Sequence, residues 1–374
     1  MKTKILIAPN AFKHSLSAIE ITEVIKKSID SFGLDLSCEI APIADGGDGT
    51  IDVVKYYSKN SKYAYCSVFN PLMKQIKSKW LLLDKNTAVI ELSKASGLAL
   101  LNKNQLNPLE ANTYGSGQLI LSALNRGCRK IILTLGGSAT VDAGLGAMCA
   151  LGLKIYDRNK KQLKPCARSL IEISTVDVTS LDKRLRNCQF TILCDVQNTL
   201  TGPNGTSMFA EQKGANKKDK ELIEAGLINY ANIIQKQYKK KYLTAPMLGA
   251  AGGVAYSFKV FLNAKVCSGF SYISKLITLE NRIRNSEIII TGEGKLDKQS
   301  SMGKGVFELA KLCKKYRKKV IAICGIYERY KHLHNIDHVI PIKPKSMSVR
   351  TSIQKTGYLI DIALQKHCKL FINS

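Results

Sequence analysis

The chain has 374 residues, 45% of them hydrophobic, which is enough for a large buried core, and its length favours two domains over one. Lys and Arg number 56 against 29 Asp and Glu, a formal net charge of +27, which raises nucleic acid or an anionic substrate as partners. The lysines are spread along helix-like segments such as 236–241 and 311–319, and no nucleic-acid motif occurs. A solvated, lysine-biased surface is therefore expected, and nucleic acid is not. The 11 cysteines form no CxxC pair or zinc spacing and read as free thiols of a reducing compartment. No apolar run approaches the roughly 18 residues of a membrane span. The first apolar stretch breaks at Pro9, so a signal peptide is not expected and a cytoplasmic location is. A homodimer is the default assembly.

In chain order, the first strand is expected at 5–8, ending at Pro9. The loop through Asn10, Ala11, Phe12, Lys13 and His14 then leads into a helix with a Ser17 cap and Glu20 at its third position. That puts Lys13 at a helix entrance, where a lysine and open backbone amides can meet a phosphate. After a run at 38–43 comes Asp45-Gly46-Gly47-Asp48-Gly49. Its glycines let the backbone approach a ligand, and its paired carboxylates suit Mg²⁺ or a substrate hydroxyl. Segments 62–68, 76–83 and 87–91 alternate polar with apolar residues, the texture of antiparallel strands.

The strand at 131–135 runs into Gly136-Gly137-Ser138-Ala139-Thr140 and a small-residue helix. Small residues with open amides make an anion cradle, and no GxxxxGK[ST] pattern occurs to provide a Walker loop instead. Asp195 follows the strand at 190–193, where a carboxylate can take a proton from an attacking hydroxyl; a helix cap or turn is the alternative role. Beyond the strand at 288–291 stand Glu293, Gly294, Lys295 and Asp297, then Lys298, Gln299, Ser300, Gly303 and Lys304. Lysines among carboxylates able to hold Mg²⁺ are the expected toolkit of phosphoryl transfer. The last clear strand is 320–324.

Short apolar strands alternating with helix-period segments imply an α/β fold with a mostly parallel sheet. The strongest strands lie near both ends and the antiparallel texture lies between them. The expected organisation is a discontinuous Rossmann-like domain, 1–65 plus 286–374, with a second α/β domain, 66–285, inserted.

Taken together and in order, these segments resemble the type I glycerate kinase family over almost the whole chain. The marks are Phe12-Lys13 with Ser15-Leu16-Ser17, Ala44 to Gly47, Ala95-Ser96-Gly97-Leu98, Thr113 to Gly117, Leu135 to Thr140, Cys194-Asp195-Val196, Gln212-Lys213-Gly214-Ala215, Gly249 to Gly253 and Thr291 to Asp297. The resemblance implies transfer of the γ-phosphoryl of ATP to D-glycerate with Mg²⁺, giving 2-phosphoglycerate, in a cleft between two α/β domains. On that reading Asp195 is the general base, and Lys13 and Lys295 offset charge on the phosphoryl group. Asp45, Gly46, Gly47 and Asp297 contact substrate or phosphate, while Asp48 and Glu293, with Asp45 as an alternative, hold Mg²⁺. The amides of Gly136, Gly137, Ser138 and Ala139 cradle either a phosphate or the glycerate carboxylate, and nucleotide and acid could exchange sides.

Departures from the family pattern are Asn10 and Ala11 for Asp and Ser, His14 for Gly, Val141-Asp142-Ala143 for Asn-Asp-Gly, Glu211 for Pro and Glu308 for Gly. They bear on substrate preference more than on the reaction, and His14 is where another small hydroxy acid would be read. A nucleic-acid-associated binding protein on the same scaffold is the main rival. The retained carboxylates argue against it, since they repel phosphates unless a metal intervenes.

Overall fold

The computed structural model describes residues 2–297, 305–328 and 335–371. Its strands are β1 (Thr3–Ile7), β2 (Leu36–Ile40), β3 (Lys62–Phe69), β4 (Gln75–Leu82), β5 (Thr87–Glu91), β6 (Lys130–Thr134), β7 (Lys154–Tyr156), β8 (Thr175–Asp177), β9 (Gln189–Leu193), β10 (Lys265–Cys267), β11 (Ile288–Leu296), β12 (Lys319–Tyr327) and β13 (His338–Pro341). The chain divides into two compact units, residues 1–57 with 268–374, and residues 58–267.

Unit 1 is a five-stranded sheet in the order β13-β12-β11-β1-β2, every pairing parallel. Parallel strands are covered on both faces and so read as unbroken apolar runs. Ile5, Leu6, Ile7, Ile289, Ile290, Ile321 and Ile323 accordingly have no exposed surface. The helix Ala18–Asp30 starts in the expected capping box, with Ser17 Oγ accepting from the Glu20 amide and the Glu20 carboxylate accepting from the Ser17 amide. It buries Ile21, Ile25 and Ile29 against the isoleucines of β1 and β11. Burial of each such side chain stabilises the unit by about 1.5–3 kcal/mol.

Unit 2 carries a six-stranded sheet, β10-β9-β6-β5-β4-β3, and a two-stranded antiparallel β7-β8 sheet. Neighbours from β10 to β5 are parallel, while β5-β4 and β4-β3 are antiparallel. β5, read from sequence with the antiparallel strands, is thus antiparallel to one neighbour and parallel to the other. Burial explains its mixed character: all five of its residues are buried, where a half-exposed strand would alternate.

The unit borders fall earlier than the sequence texture placed them. β3 pairs along its whole length with β4 and so belongs entirely to unit 2. The helices Gly269–Leu276 and Leu279–Arg284 belong to unit 1, where Gly269 lies against the Asp45 backbone and Arg282 binds Glu39. All 11 cysteines are free thiols. Among the described residues no helix is long and apolar enough to cross a membrane.

Candidate active site

In unit 1 the chain leaving β1 is held on both sides past the end of the strand. Ala8 and Asn10 amides donate to Ile290 and Gly292 carbonyls, and Ala41 and Ile43 amides donate to Ile7 and Pro9 carbonyls. This brings the loop after β1 beside the turn after β2, where Asn10 Nδ2 donates to Asp45 Oδ2 at 2.9 Å. Asp45 Oδ1 accepts the Gly47 amide at 3.1 Å, while Gly46 takes a left-handed φ of 83°. Gly305 has its amide 3.5 Å from Asp45 Oδ2. Asp48 stands exposed on the same turn.

Phe12 is buried and packs near Gly292, and a Cβ at Gly294 would sit 3.4 Å from the Lys13 amide nitrogen. Lys13 is exposed above them, while Glu293, on β11, is only 7% exposed. Lys13, Asp45 and Glu293 therefore stand beyond the carboxyl ends of, or within, the strands β1, β2 and β11 respectively, which are adjacent in the sheet, at the usual ligand edge of such a sheet. Lys295 forms ion pairs with Glu328 at 2.7 Å and Asp297 at 3.3 Å, and Glu328 first, then Asp297, holds its ammonium above the ordinary lysine value. Lys298, Gln299, Ser300, Gly303 and Lys304 lie outside the described residues.

His14 has φ 64° and Ala143 φ 54°, so two positions at which the chain departs from the family's glycine keep the backbone that glycine favours. His14→Gly should raise folding stability by about 1 kcal/mol, the approximate steric cost of a side chain in this conformation. Denaturant unfolding of the two proteins checks it; a destabilised glycine variant would show that the imidazole makes a compensating contact.

In unit 2 the loops after β5, β6 and β9 lie at one edge of the parallel strands. Leu135 donates to Leu193, and Cys194 to Cys267, fixing the starts of two of them. The 136–140 loop turns through Gly137 at φ 71° and is pinned to residues 96–98: the Leu98 amide donates to Gly137 O and the Ala139 amide to Ser96 O. The Ala139 amide is thus occupied within the fold. No hydrogen bond from the amides of Gly136, Gly137 or Ser138 is found among the described residues. Asp195 is half-buried two residues past β9.

Three residues of this unit were not assigned roles from sequence. Lys213 is 3% exposed, and its Nζ donates to Ser138 Oγ at 2.9 Å and to the Thr140 carbonyl at 2.7 Å. Burial lowers its pKa from the ordinary 10.5 to about 7, against the opposing pull of Asp142. Asp142 is fully buried and accepts four hydrogen bonds: from the Thr113 amide and hydroxyl, at 2.8 and 2.7 Å, and from the Gly144 and Gly146 amides, at 3.1 and 3.0 Å. Burial pushes its carboxyl up while these donors hold it down. Glu91, fully buried at the end of β5, pairs with Lys94 at 3.4 Å; an acid ending an apolar strand is the signal that singled out Asp195. Lys213 belongs to the Gln212-Lys213-Gly214-Ala215 mark of the family resemblance, but no strand end or periodicity around it points to a role.

A turn at 249–253 closes over these loops. Ala251, Gly252 and Gly253 are all left-handed, and a Cβ on Gly252 would meet the Thr140 carbonyl at 2.1 Å, so only glycine fits there.

The chain matches the Glycerate kinase family model over residues 5–371. It is 37% identical to the Glycerate 2-kinase of Escherichia coli K12 over 344 residues, covering 91% of this chain and 90% of that one. With the Glycerate kinase of Bacillus subtilis 168 it shares 34% identity over 356 residues, 94% of this chain and 93% of the other. A crystal structure assigned as glycerate kinase 2 from Salmonella typhimurium LT2 superposes with a TM-score of 0.80 at 30% identity, covering 100% of both chains. By sequence and by fold, then, the chain belongs to the glycerate kinase family.

Proposed function

We propose that this kinase transfers the γ-phosphoryl of ATP to the 2-hydroxyl of D-glycerate, giving 2-phosphoglycerate. The observation that carries the reading is the placement of Asp195 and the open 136–138 amides after two neighbouring parallel strands, β9 and β6. A proton acceptor and an anion cradle are the two things that attack by a hydroxy acid requires. The name of the Escherichia coli relative supports the 2-position.

In this reading Asp195 takes the proton of the attacking hydroxyl. Lys13 and Lys295 offset phosphoryl charge, Asp45 with Gly46 and Gly47 and, on the β11 side, Asp297 contact substrate or phosphate, and Gly136, Gly137 and Ser138 cradle an oxyanion. Among the described residues no three His, Cys, Asp or Glu side chains gather into a metal cage. Carboxylates arrayed singly, as Asp48 and Glu293 are, fit Mg²⁺, which takes one or two carboxylates and completes its shell with phosphates and water. Bound there, Mg²⁺ would neutralise phosphate charge.

The test is ADP release with ATP and Mg²⁺ on D-glycerate, L-glycerate, tartronate and no acceptor, with the phosphorylated carbon identified by ³¹P–¹H NMR. Turnover selective for D-glycerate with phosphate on C2 is expected. Phosphate on C3 would overturn the regiochemistry, and release indifferent to the acceptor would overturn the substrate.

A further inference from the structure

Lys213 lies beneath the 136–140 loop with no carboxylate within ion-pair distance among the described residues. Asp142 is the charged group whose field reaches it, and that carboxylate is already ringed by four donors. Glu211, on the same short turn, is exposed and pairs with Lys220. A lysine closed off from water without a counter-ion is costly as an ammonium. A second observation marks the same place. Thr140, whose carbonyl receives Lys213, is itself wholly buried, and its hydroxyl makes no hydrogen bond. The loop overhead carries the unused amides of Gly136, Gly137 and Ser138.

We propose that Lys213 is the counter-charge of an oxyanion site on the 136–140 loop, and that the neutral amine takes a proton from solvent as a carboxylate or phosphate seats on the loop. This rests on the kinase reading for the source of the oxyanion, but not for the site. Lys213 acts through Ser138 and Thr140 and is a positioning residue: charged, it offers a third N–H and a full positive charge under the cradle; neutral, it offers neither. The balance is simple. Oxyanion and proton enter together, the proton supplied by the buffer. Because the free amine titrates near 7 and the bound one is held higher, affinity is full at low pH. It falls about tenfold per unit as pH rises above 7, until the bound-state value is reached.

The test is titration calorimetry on the intact wild-type enzyme at pH 8 in buffers of different ionisation enthalpy, with D-glycerate, glycerol, ATP and inorganic phosphate as separate probes. D-Glycerate or a phosphate compound should bind with uptake of nearly one proton, and glycerol with none. Uptake with D-glycerate alone identifies the acid's carboxylate; uptake with ATP and phosphate identifies the nucleotide. Lys213→Met should abolish the uptake and weaken binding at pH 7 by tenfold or more. Lys213→Arg, a cation at every pH, should bind without proton uptake, so the outcome does not hang on one variant folding. An enzyme that turns over D-glycerate while binding every anion with no proton taken up would overturn this inference and leave the function standing. Lys213-dependent uptake without glycerate turnover would do the reverse, and no binding of any probe would remove both.

Discussion

Asp195→Asn should lower kcat on D-glycerate by about 10²- to 10⁴-fold, the usual contribution of a positioned general base, while the protein unfolds at nearly the same denaturant concentration as wild type. The amide keeps the size of the carboxylate and loses its basicity. The position is half-buried and follows β9 in a loop, so the strand pairing with β6 and β10 does not depend on it. The discriminating measurement is kcat and KM together. A loss confined to kcat marks an interaction made in the transition state, whereas a rise in KM at constant kcat would assign Asp195 to binding and remove it as the base. Cys194 beside it is buried and its thiol is pushed up to about 12 by burial, so it offers no substitute base near neutral pH.

Asp142→Ala should destabilise the fold by about 4 kcal/mol or more, a large share of the roughly 5–15 kcal/mol that holds a protein together. The change strands the Thr113 and Gly146 amides, the Thr113 hydroxyl and the Gly144 amide at a fully buried site. The Thr113 hydroxyl already accepts the Ala147 amide at 2.9 Å, so its proton must go to Asp142, and every neighbour of the carboxylate is a donor. That arrangement fits the ionised form. Asp142→Asn keeps the shape and one acceptor but turns an NH₂ toward donors, and should fall between alanine and wild type. Urea unfolding followed by circular dichroism measures both; a loss below about 1 kcal/mol for alanine would mean the loop rearranges to satisfy its amides elsewhere.

The strands at 5–8, 131–135, 190–193, 288–291 and 320–324 are legible because each is a short apolar run followed by Gly, Asp or Pro, and burial on two faces writes that pattern into sequence, whereas the short parallel strands β10 and β13 are not read from it. Candidate loop residues are singled out where they follow such a strand or extend it, as Lys13, Asp45, Asp195 and Glu293 are. Gln212-Lys213-Gly214-Ala215 is one of the marks of the family resemblance, but the local sequence assigns Lys213 no role, for a physical reason. Lys213 lies in Glu211-Gln212-Lys213, a single tight turn between Ala210 and Gly214, and its hydrogen-bond partners stand on the 136–140 loop more than 70 residues earlier. No local periodicity encodes that. Asn10 was noted only as a departure from an aspartate; its bond to Asp45 depends on β1 and β2 lying side by side and shows why an amide is tolerated there. A second aspartate at that spot would set two carboxylates in contact without a cation.

The interior place of β1, between β2 and β11, has a consequence for how the chain is made. β1 is paired on one side with β2, available almost at once, and on the other with β11, whose Thr291 hydroxyl bonds the Ala8 carbonyl across a separation of 283 residues. On the ribosome, all the strands of unit 2 have emerged before β11 is synthesised, so that unit can reach its native form while the amino-terminal β-pair still exposes an apolar edge. Pairings this distant are slow to form and prone to aggregation in the interval. The amino-terminal segment of this enzyme is therefore the part of the nascent chain in greatest need of a chaperone.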